Sequence, residues 1–372
     1  MIFQPFALER FFARYEFSVR HVLCASDCET VTVDEVLELE PDARERFGRL
    51  KLGYVDSRGT PSLRDEIARM YEGITREDVL VFTGAQEAIL WFYAALLEHA
   101  REREDEVIVH TPCYASHLEV PRGLGARVVP WLARADRGFC LDVGDLDKLT
   151  TSRTRAVVIN SPHNPTGYAM PKEDFDALRA WCSERELVLL CDEVFRESEQ
   201  DPADRLPAAC EDGRGVSLGV MSKTYGLAGL RVGWLVTKRA DLLEHCAALR
   251  DYSTICGSAP SEFLAEIALR HREQLAAANV ARIRRNLDVC EAFFGKHADL
   301  FDWRRPRAGT VAFVRYLGGD VEEFCDRLVK ETGVLLMPGT LFDDRSNAFR
   351  IGFGRGDVPA AVEILKSFVT RT

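Results

Sequence analysis

From about residue 60 onward, short apolar runs alternate with longer stretches whose apolar residues recur at helical spacing. The runs are VLVFT (79–83), EVIVH (106–110), ARVVPW (126–131), RAVVIN (155–160), LVLLC (187–191) and GVSLGVM (215–221). Between several of them lie PSLRDEIARMY, opened by Pro and Ser, QEAILWFYAALLEHA and KEDFDALRAWCSERE, each with a helical pattern. Apolar runs separated by helices predict βαβ units and a mostly parallel mixed sheet sandwiched by helices, an α/β fold. Ligands collect beyond the C-terminal ends of such strands. Polar residues follow the runs at Thr83-Gly84, Thr111-Pro112, Asn160-Ser161, Asp192-Glu193 and Ser222-Lys223. Five strand ends of this kind point to one site.

Beyond residue 240 the pattern changes. A long helical stretch covers roughly 260–297, followed by the short strand-like runs TVAFVRY, VLLMPG and AFRIGF and a last helix, VPAAVEILKSFV. This reads as a smaller α+β domain. The expected division is a large domain over 46–275 and a small domain made of 1–45 and 276–372, with the N-terminal segment contributing an amphipathic start (Phe6, Leu8, Phe11, Phe12). A chain of 372 residues exceeds what one core usually serves.

Composition narrows the class of partner. A net charge of −11 argues against nucleic acid and against a polybasic membrane surface. No apolar run approaches the ~18 residues of a membrane span, and the charges throughout MIFQPFALERFFARYEF do not suit a signal peptide. The 11 cysteines form no CxxC pair and no metal-ligand spacing. Cys182, Cys191, Cys246 and Cys290 sit in apolar or helical contexts and read as small core residues, so a reducing cytoplasm is the expected compartment and no metal is expected.

The chemistry centres on MSKTYGLAGLRVGW (221–234). Lys223 follows an apolar strand and precedes a Gly-rich turn in which Gly226 and Gly229 permit close backbone approach. Ser222 and Arg231 beside it are both anion donors. An amine of lowered pKa is an imine-forming nucleophile, and with phosphate donors around it the partner is a phosphorylated aldehyde, of which pyridoxal 5'-phosphate is the common one. That cofactor makes further demands. Its ring nitrogen wants an acid, which Asp192 supplies; its phosphate wants a helix N-terminus, which Gly84, Ala85 and Gln86 of TGAQEAI supply. Its ring wants an aromatic face, Tyr114, and its ring oxygen a donor, Asn164 of NSPHNPTG. A substrate carboxylate wants a guanidinium, Arg350 of AFRIGFGR. Each alone has an ordinary structural explanation; their joint order along the chain points to one cofactor.

NSPHNPTG, DEVF, SKTYGLAGLRVGW and RIGFGR together resemble the fold-type I pyridoxal-phosphate enzymes of the class I/II aminotransferase superfamily, over the span from about Tyr54 to Arg350. The resemblance implies that Lys223 bonds the cofactor aldehyde and shuttles the α-proton, that Asp192 pairs with the ring nitrogen, and that His117 supports Asp192 from behind. It implies that Asn164 bonds the ring hydroxyl oxygen and that Tyr114 stacks on the ring. Gly84, Ala85, Gln86, Ser222 and Arg231 then hold the phosphate, and Arg350 clamps the substrate carboxylate. Tyr54, in GYVDSRGTPSLR, matches the tyrosine that reaches a partner subunit's phosphate, and Ser258 in ICGSAPSE also crosses the interface. The implied enzyme is a homodimer with shared active sites that moves an amino group between an L-amino acid and a 2-oxo acid by a ping-pong mechanism.

Three departures from that pattern bear on the reaction. Phe195 stands where many aminotransferases have Tyr, leaving Asn164 as the only donor to the ring oxygen. Val220 stands where relatives have a phosphate-binding Ser. LCASDCE (23–29) replaces a Gly-containing loop with Ser26, Asp27 and Glu29, polar and acidic groups that read first as a solvated loop and otherwise suit a basic substrate side chain such as arginine. This loop and DYSTICGSAPSE are similar to the branch that includes capreomycidine synthase. A lyase or cyclase acting on a substituted, arginine-derived amino acid is therefore the second reading, using the same Lys223 and Asp192.

Overall fold

The computed structural model describes residues 3–98 and 100–371; His99, within the expected helix 86–100, lies outside them. Seven strands form the main sheet: β1 (Val79–Phe82), β2 (Glu106–Thr111), β3 (Arg127–Leu132), β4 (Thr154–Asn160), β5 (Val188–Asp192), β6 (Gly215–Val220) and β7 (Gly233–Val236), in the order β1-β7-β6-β5-β4-β2-β3. Neighbours from β3 to β6 pair in parallel, whereas β7 runs antiparallel to both β1 and β6. The central strands read as continuous apolar runs because helices cover both faces, so both sets of alternating side chains are buried. One face packs on helices Ala85–Leu96, Ser116–Leu124 and Ala240–Arg250; Phe92, Leu118 and Leu243 share its core with Val109, Val158 and Leu190. The other packs on helix Lys172–Glu184, where Phe175 and Leu178 meet Ile108, Val157 and Leu189.

The sheet is mostly parallel and mixed, as the pattern predicts, but β7 is a strand the pattern does not reveal. GWLV is only 4 residues long and sits directly behind the Gly-rich turn. The stretch 260–297 is two helices, Ala259–Arg270 and Arg272–Lys296, broken at His271.

A second sheet, β8 (Phe301–Asp302), β9 (Val311–Tyr316), β10 (Met337–Pro338) and β11 (Ala348–Gly352), is wholly antiparallel in the order β10-β11-β9-β8. Helices Arg272–Lys296, Val321–Thr332 and Val358–Val369 pack on it through Leu287, Phe294, Leu328 and Leu365. The N-terminal segment joins this part: His21 bridges to Val334, Leu335 N–H donates to His21 O at 2.8 Å, and Cys24 N–H donates to Leu335 O at 3.1 Å. Among the described residues no helix is long and apolar enough to cross a membrane.

Candidate active site

The C-terminal ends of β1, β2, β4, β5 and β6 open into a cavity of about 520 Å³. Its lining includes Ala85, Gln86, Tyr114, Asn160, Asn164, Asp192, Ser222, Lys223, Arg231 and Arg350. Parallel strands end on one side of the sheet, so residues far apart in the chain meet there.

Asp192 closes β5 and is 4 % exposed. Its Oδ2 stands 3.0 Å from His117 Nε2, and its Oδ1 accepts Val194 N–H at 3.1 Å. The same strand end is fixed by Asn160, whose Nδ2 donates to Asp192 O at 2.7 Å while its Oδ1 accepts Asn164 N–H at 2.6 Å. Asn164 Oδ1 is taken by Arg350 Nη1 at 3.0 Å, which leaves the Asn164 amide nitrogen for the cavity. Arg350, on β11 and almost fully buried, also donates from Nε and Nη2 to Cys24 O at 3.1 and 2.8 Å.

Lys223 sits one turn beyond β6, and its Nζ donates to Ser26 Oγ at 2.9 Å. Burial pulls its pKa below the usual lysine range; Arg350 adds to that, and Asp27 and Asp192 oppose it. The neutral amine that a nucleophile or base needs is therefore nearer to hand than in free lysine. Tyr114 follows β2 and packs against Phe6 with ring centroids 5.2 Å apart. Helix Ala85–Leu96 begins at the cavity, with Gly84 before it at φ 82°. A Cβ on Gly84 would run into the Arg231 guanidinium, so glycine there is what lets Arg231 reach the helix N-terminus. Gln86 is held by Ser116, whose Oγ donates to its Oε1 at 2.8 Å. Gly226, at φ 69°, lies against Glu29 O, whereas Gly229 faces open space and needs no close approach, contrary to the expectation for that position.

Tyr54, 90 % exposed, and Ser258, also exposed, do not line this cavity. Phe195 and Val220 do, and neither brings a polar atom to the wall. The acids expected from the 23–29 loop are already engaged: Asp27 takes Arg355 Nη2 at 3.1 and 2.9 Å, and Glu29 takes Gly356 N–H at 2.7 Å. Sequence reasoning missed Glu9 and Glu16, which line the cavity from the first helix (Ala7–Tyr15) and its C-cap. Among the described residues neither carboxylate makes a hydrogen bond or ion pair. The helical spacing of Phe6, Leu8 and Phe12 was the available signal, since it fixes which side of that helix turns inward.

A depressed lysine, a buried carboxylate at a strand end, a free amide donor and a helix N-terminus with an arginine beside it define a site for a phosphorylated aromatic aldehyde. The chain belongs to the aminotransferase class I and II family, which matches residues 21–365. It is 32 % identical to capreomycidine synthase of Streptomyces vinaceus over 353 residues, covering 93 % of this chain and 88 % of that protein. It is 33 % identical to an arginine–pyruvate transaminase of Pseudomonas aeruginosa over 322 residues, covering 82 % and 79 %. In structure it superposes on a pyridoxal-phosphate-dependent aminotransferase from Streptococcus suis with a TM-score of 0.92 at 27 % identity, covering 100 % and 99 % of the two chains. A pyridoxal-phosphate-dependent cyclase, OrfR, gives 0.91 at 32 % identity, covering 100 % and 98 %. The cofactor is pyridoxal 5'-phosphate, and the enzyme is of the aminotransferase class, with amino acids and 2-oxo acids as its substrates.

Proposed function

We propose that this enzyme moves the amino group of an L-amino acid with a cationic side chain, arginine or a close relative, to a 2-oxo acid. One observation carries the substrate class: a single cavity is lined by the buried Arg350 and by the unpaired carboxylates Glu9 and Glu16. An α-carboxylate suits the Arg350 guanidinium. With Lys223, Asp192 and Arg231 given to the cofactor and Asp27 to Arg355, the charges left on the wall are Glu9 and Glu16, which suit a cation. Burial, and next to it the Asp27 charge, push the Glu16 carboxyl above its usual pKa, a cost that a bound guanidinium relieves. The transaminase relative named for arginine supports the same reading.

Pyridoxal phosphate, when bound, supplies an aldehyde that takes up the amine and a ring that withdraws the electrons left on the α-carbon. Lys223 removes and returns the α-proton. Asp192, held by His117 and Val194 N–H, keeps a proton on the ring nitrogen. Asn164 would donate to the ring oxygen, Tyr114, braced by Phe6, would pack on the ring, and Gly84, Ala85, Gln86, Ser222 and Arg231 would receive the phosphate. Tyr54 and Ser258 serve the partner's site in a homodimer, which the exposure of Tyr54 and Tyr252, 90 % and 91 %, supports. Free cysteines throughout support a cytoplasmic setting.

A cyclase or lyase acting on a substituted arginine is the second reading. Phe195, with no hydroxyl for the ring oxygen, and the two relatives named as capreomycidine synthase and a cyclase favour it. A single-turnover experiment separates the two. Cofactor-loaded enzyme mixed with arginine and no amino acceptor should release one equivalent of 2-oxo acid per site. The same enzyme given a β-hydroxylated arginine tests the second reading: catalytic loss of water, with a cyclic amino acid or ammonia released and no 2-oxo acid from arginine, would replace transamination. No reaction with any basic amino acid would overturn the substrate class.

A further inference from the structure

The Lys223 amine has one hydrogen-bond partner among the described residues, and it is a serine from the other end of the chain. We propose that Ser26 is a positioning residue for Lys223: its hydroxyl seats Nζ whenever the amine is not bonded to the cofactor, so that the base stays aimed at the carbon it deprotonates.

The seat is built rather than accidental. Ser26 O accepts the hydroxyl of Thr310 at 2.6 Å, and Thr310 is wholly buried. Two residues earlier, Cys24 O accepts two N–H groups of Arg350; two residues later, Cys28 N–H donates to Lys223 O at 3.3 Å. The strap 24–29 lies against the backbones of Gly352, Gly354 and Gly226, where any Cβ would collide with Ala25 O, Asp27 O or Glu29 O. Ser26 Oγ is therefore fixed relative to both the substrate-carboxylate arginine and the lysine turn.

The residue type matters as much as the place. A lysine side chain has several rotatable bonds, and a base displaced by about 1 Å can lose about 10²-fold in rate. A hydroxyl accepts from an ammonium and donates to a neutral amine, so the contact survives loss of the proton. A carboxylate would instead hold the amine as ammonium. Asp27, the next residue along, favours the ammonium through its charge but gives both oxygens to Arg355 Nη2 and none to the amine.

The proposal rests on Lys223 being the cofactor-bearing amine, so the first measurement uses cofactor-free protein. The pH dependence of Lys223 reductive methylation, read by mass spectrometry, gives the pKa of that amine. Loss of a hydrogen bond to the charged form should lower it by about half a unit to one unit in Ser26→Ala. In cofactor-loaded enzyme the same variant should lose about tenfold in kcat with KM within about twofold, because positioning rather than substrate binding is removed. Ser26→Thr should restore both, and Ser26→Asp should raise the amine pKa and move the pH optimum upward. An unchanged amine pKa with kcat within about twofold of wild type in Ser26→Ala, or a Ser26→Thr enzyme as impaired as Ser26→Ala, overturns the proposal. Failure of the underlying reading shows separately, as wild-type protein that binds pyridoxal phosphate without covalent attachment to Lys223.

Discussion

His117 Nε2 stands 3.0 Å from Asp192 Oδ2, and Tyr93 closes the other side of the imidazole with its hydroxyl 3.2 Å from Nδ1. All three residues are buried. Burial raises the Tyr93 phenol far above its usual pKa, so it remains a donor; Nδ1 then accepts and Nε2–H donates to the carboxylate. The relay gives Asp192 Oδ2 a hydrogen-bond donor without using up the carboxylate's charge on an arginine.

Replacing His117 by Phe should leave Asp192 short of one donor while Val194 N–H remains. Hydrogen bonds to charged groups contribute about 1.5–3 kcal/mol, so cofactor affinity should fall about 10- to 100-fold. Asp192→Asn should cost more in kcat than His117→Phe does. A fluorescence titration with pyridoxal phosphate, alongside kcat, checks the order; equal effects on kcat would mean that His117 contacts the chemistry directly.

Phe195→Tyr adds a hydroxyl to a cavity wall that now offers none at this position. A second donor to the ring oxygen favours its deprotonated form. The pH midpoint of the bound cofactor's visible absorbance should therefore move down in the variant. A midpoint that stays put or rises would show that Phe195 only packs.

Glu16→Gln removes an unpaired carboxylate from the cavity. Half-exposed charge pairs contribute up to about 1 kcal/mol, so KM for arginine should rise about fivefold, and KM for an uncharged amino acid of similar length should not. Glu9→Gln should add to the effect. Equal changes for both substrates would take the cationic preference away from these two residues.

His110 and His163 stack inside the large sheet's core with centroids 3.7 Å apart and planes 14° from parallel. Burial pulls His110 down to about 3 and, with His110 next to it, His163 well below 6.5. Both are neutral in the folded protein across the working range. The unfolded chain takes up protons below about 6.5, so folding stability is lost as pH falls through that value toward 3. The thermal midpoint should fall between pH 7 and 5, and His110→Phe should flatten that fall. The His110 imidazole makes no hydrogen bond, so the swap leaves no partner unsatisfied. An identical pH profile in the variant would remove His110 as a source of the acid sensitivity.

Much of this site is legible in the sequence. Asp192, Asn164, Lys223 and Arg350 each end or follow an apolar run or sit in a motif whose residue types have few other uses, and all four line one cavity. What was not legible depends on contacts between distant segments. Asp27 and Glu16 are both acids near the N-terminus, yet one is tied to Arg355 and the other is not. That difference lies in which loop packs on which, and no local pattern encodes it. Strand β7 escaped for a different reason: four residues inside a Gly-rich motif carry too short a period to distinguish a strand from a turn.

The strap's anchors also set an order of assembly. Residues 24–28 are made before every one of their anchors, Lys223, Thr310 and Arg350, the last of these 326 positions after Cys24. A nascent chain that has already made Asp192 and Lys223 still lacks both Arg350 and the Gly352–Gly354 backbone on which the strap rests. Lys223 is therefore joined through the strap to Arg350 only once residue 350 has been made, and a product truncated between the two would carry the amine without that guanidinium.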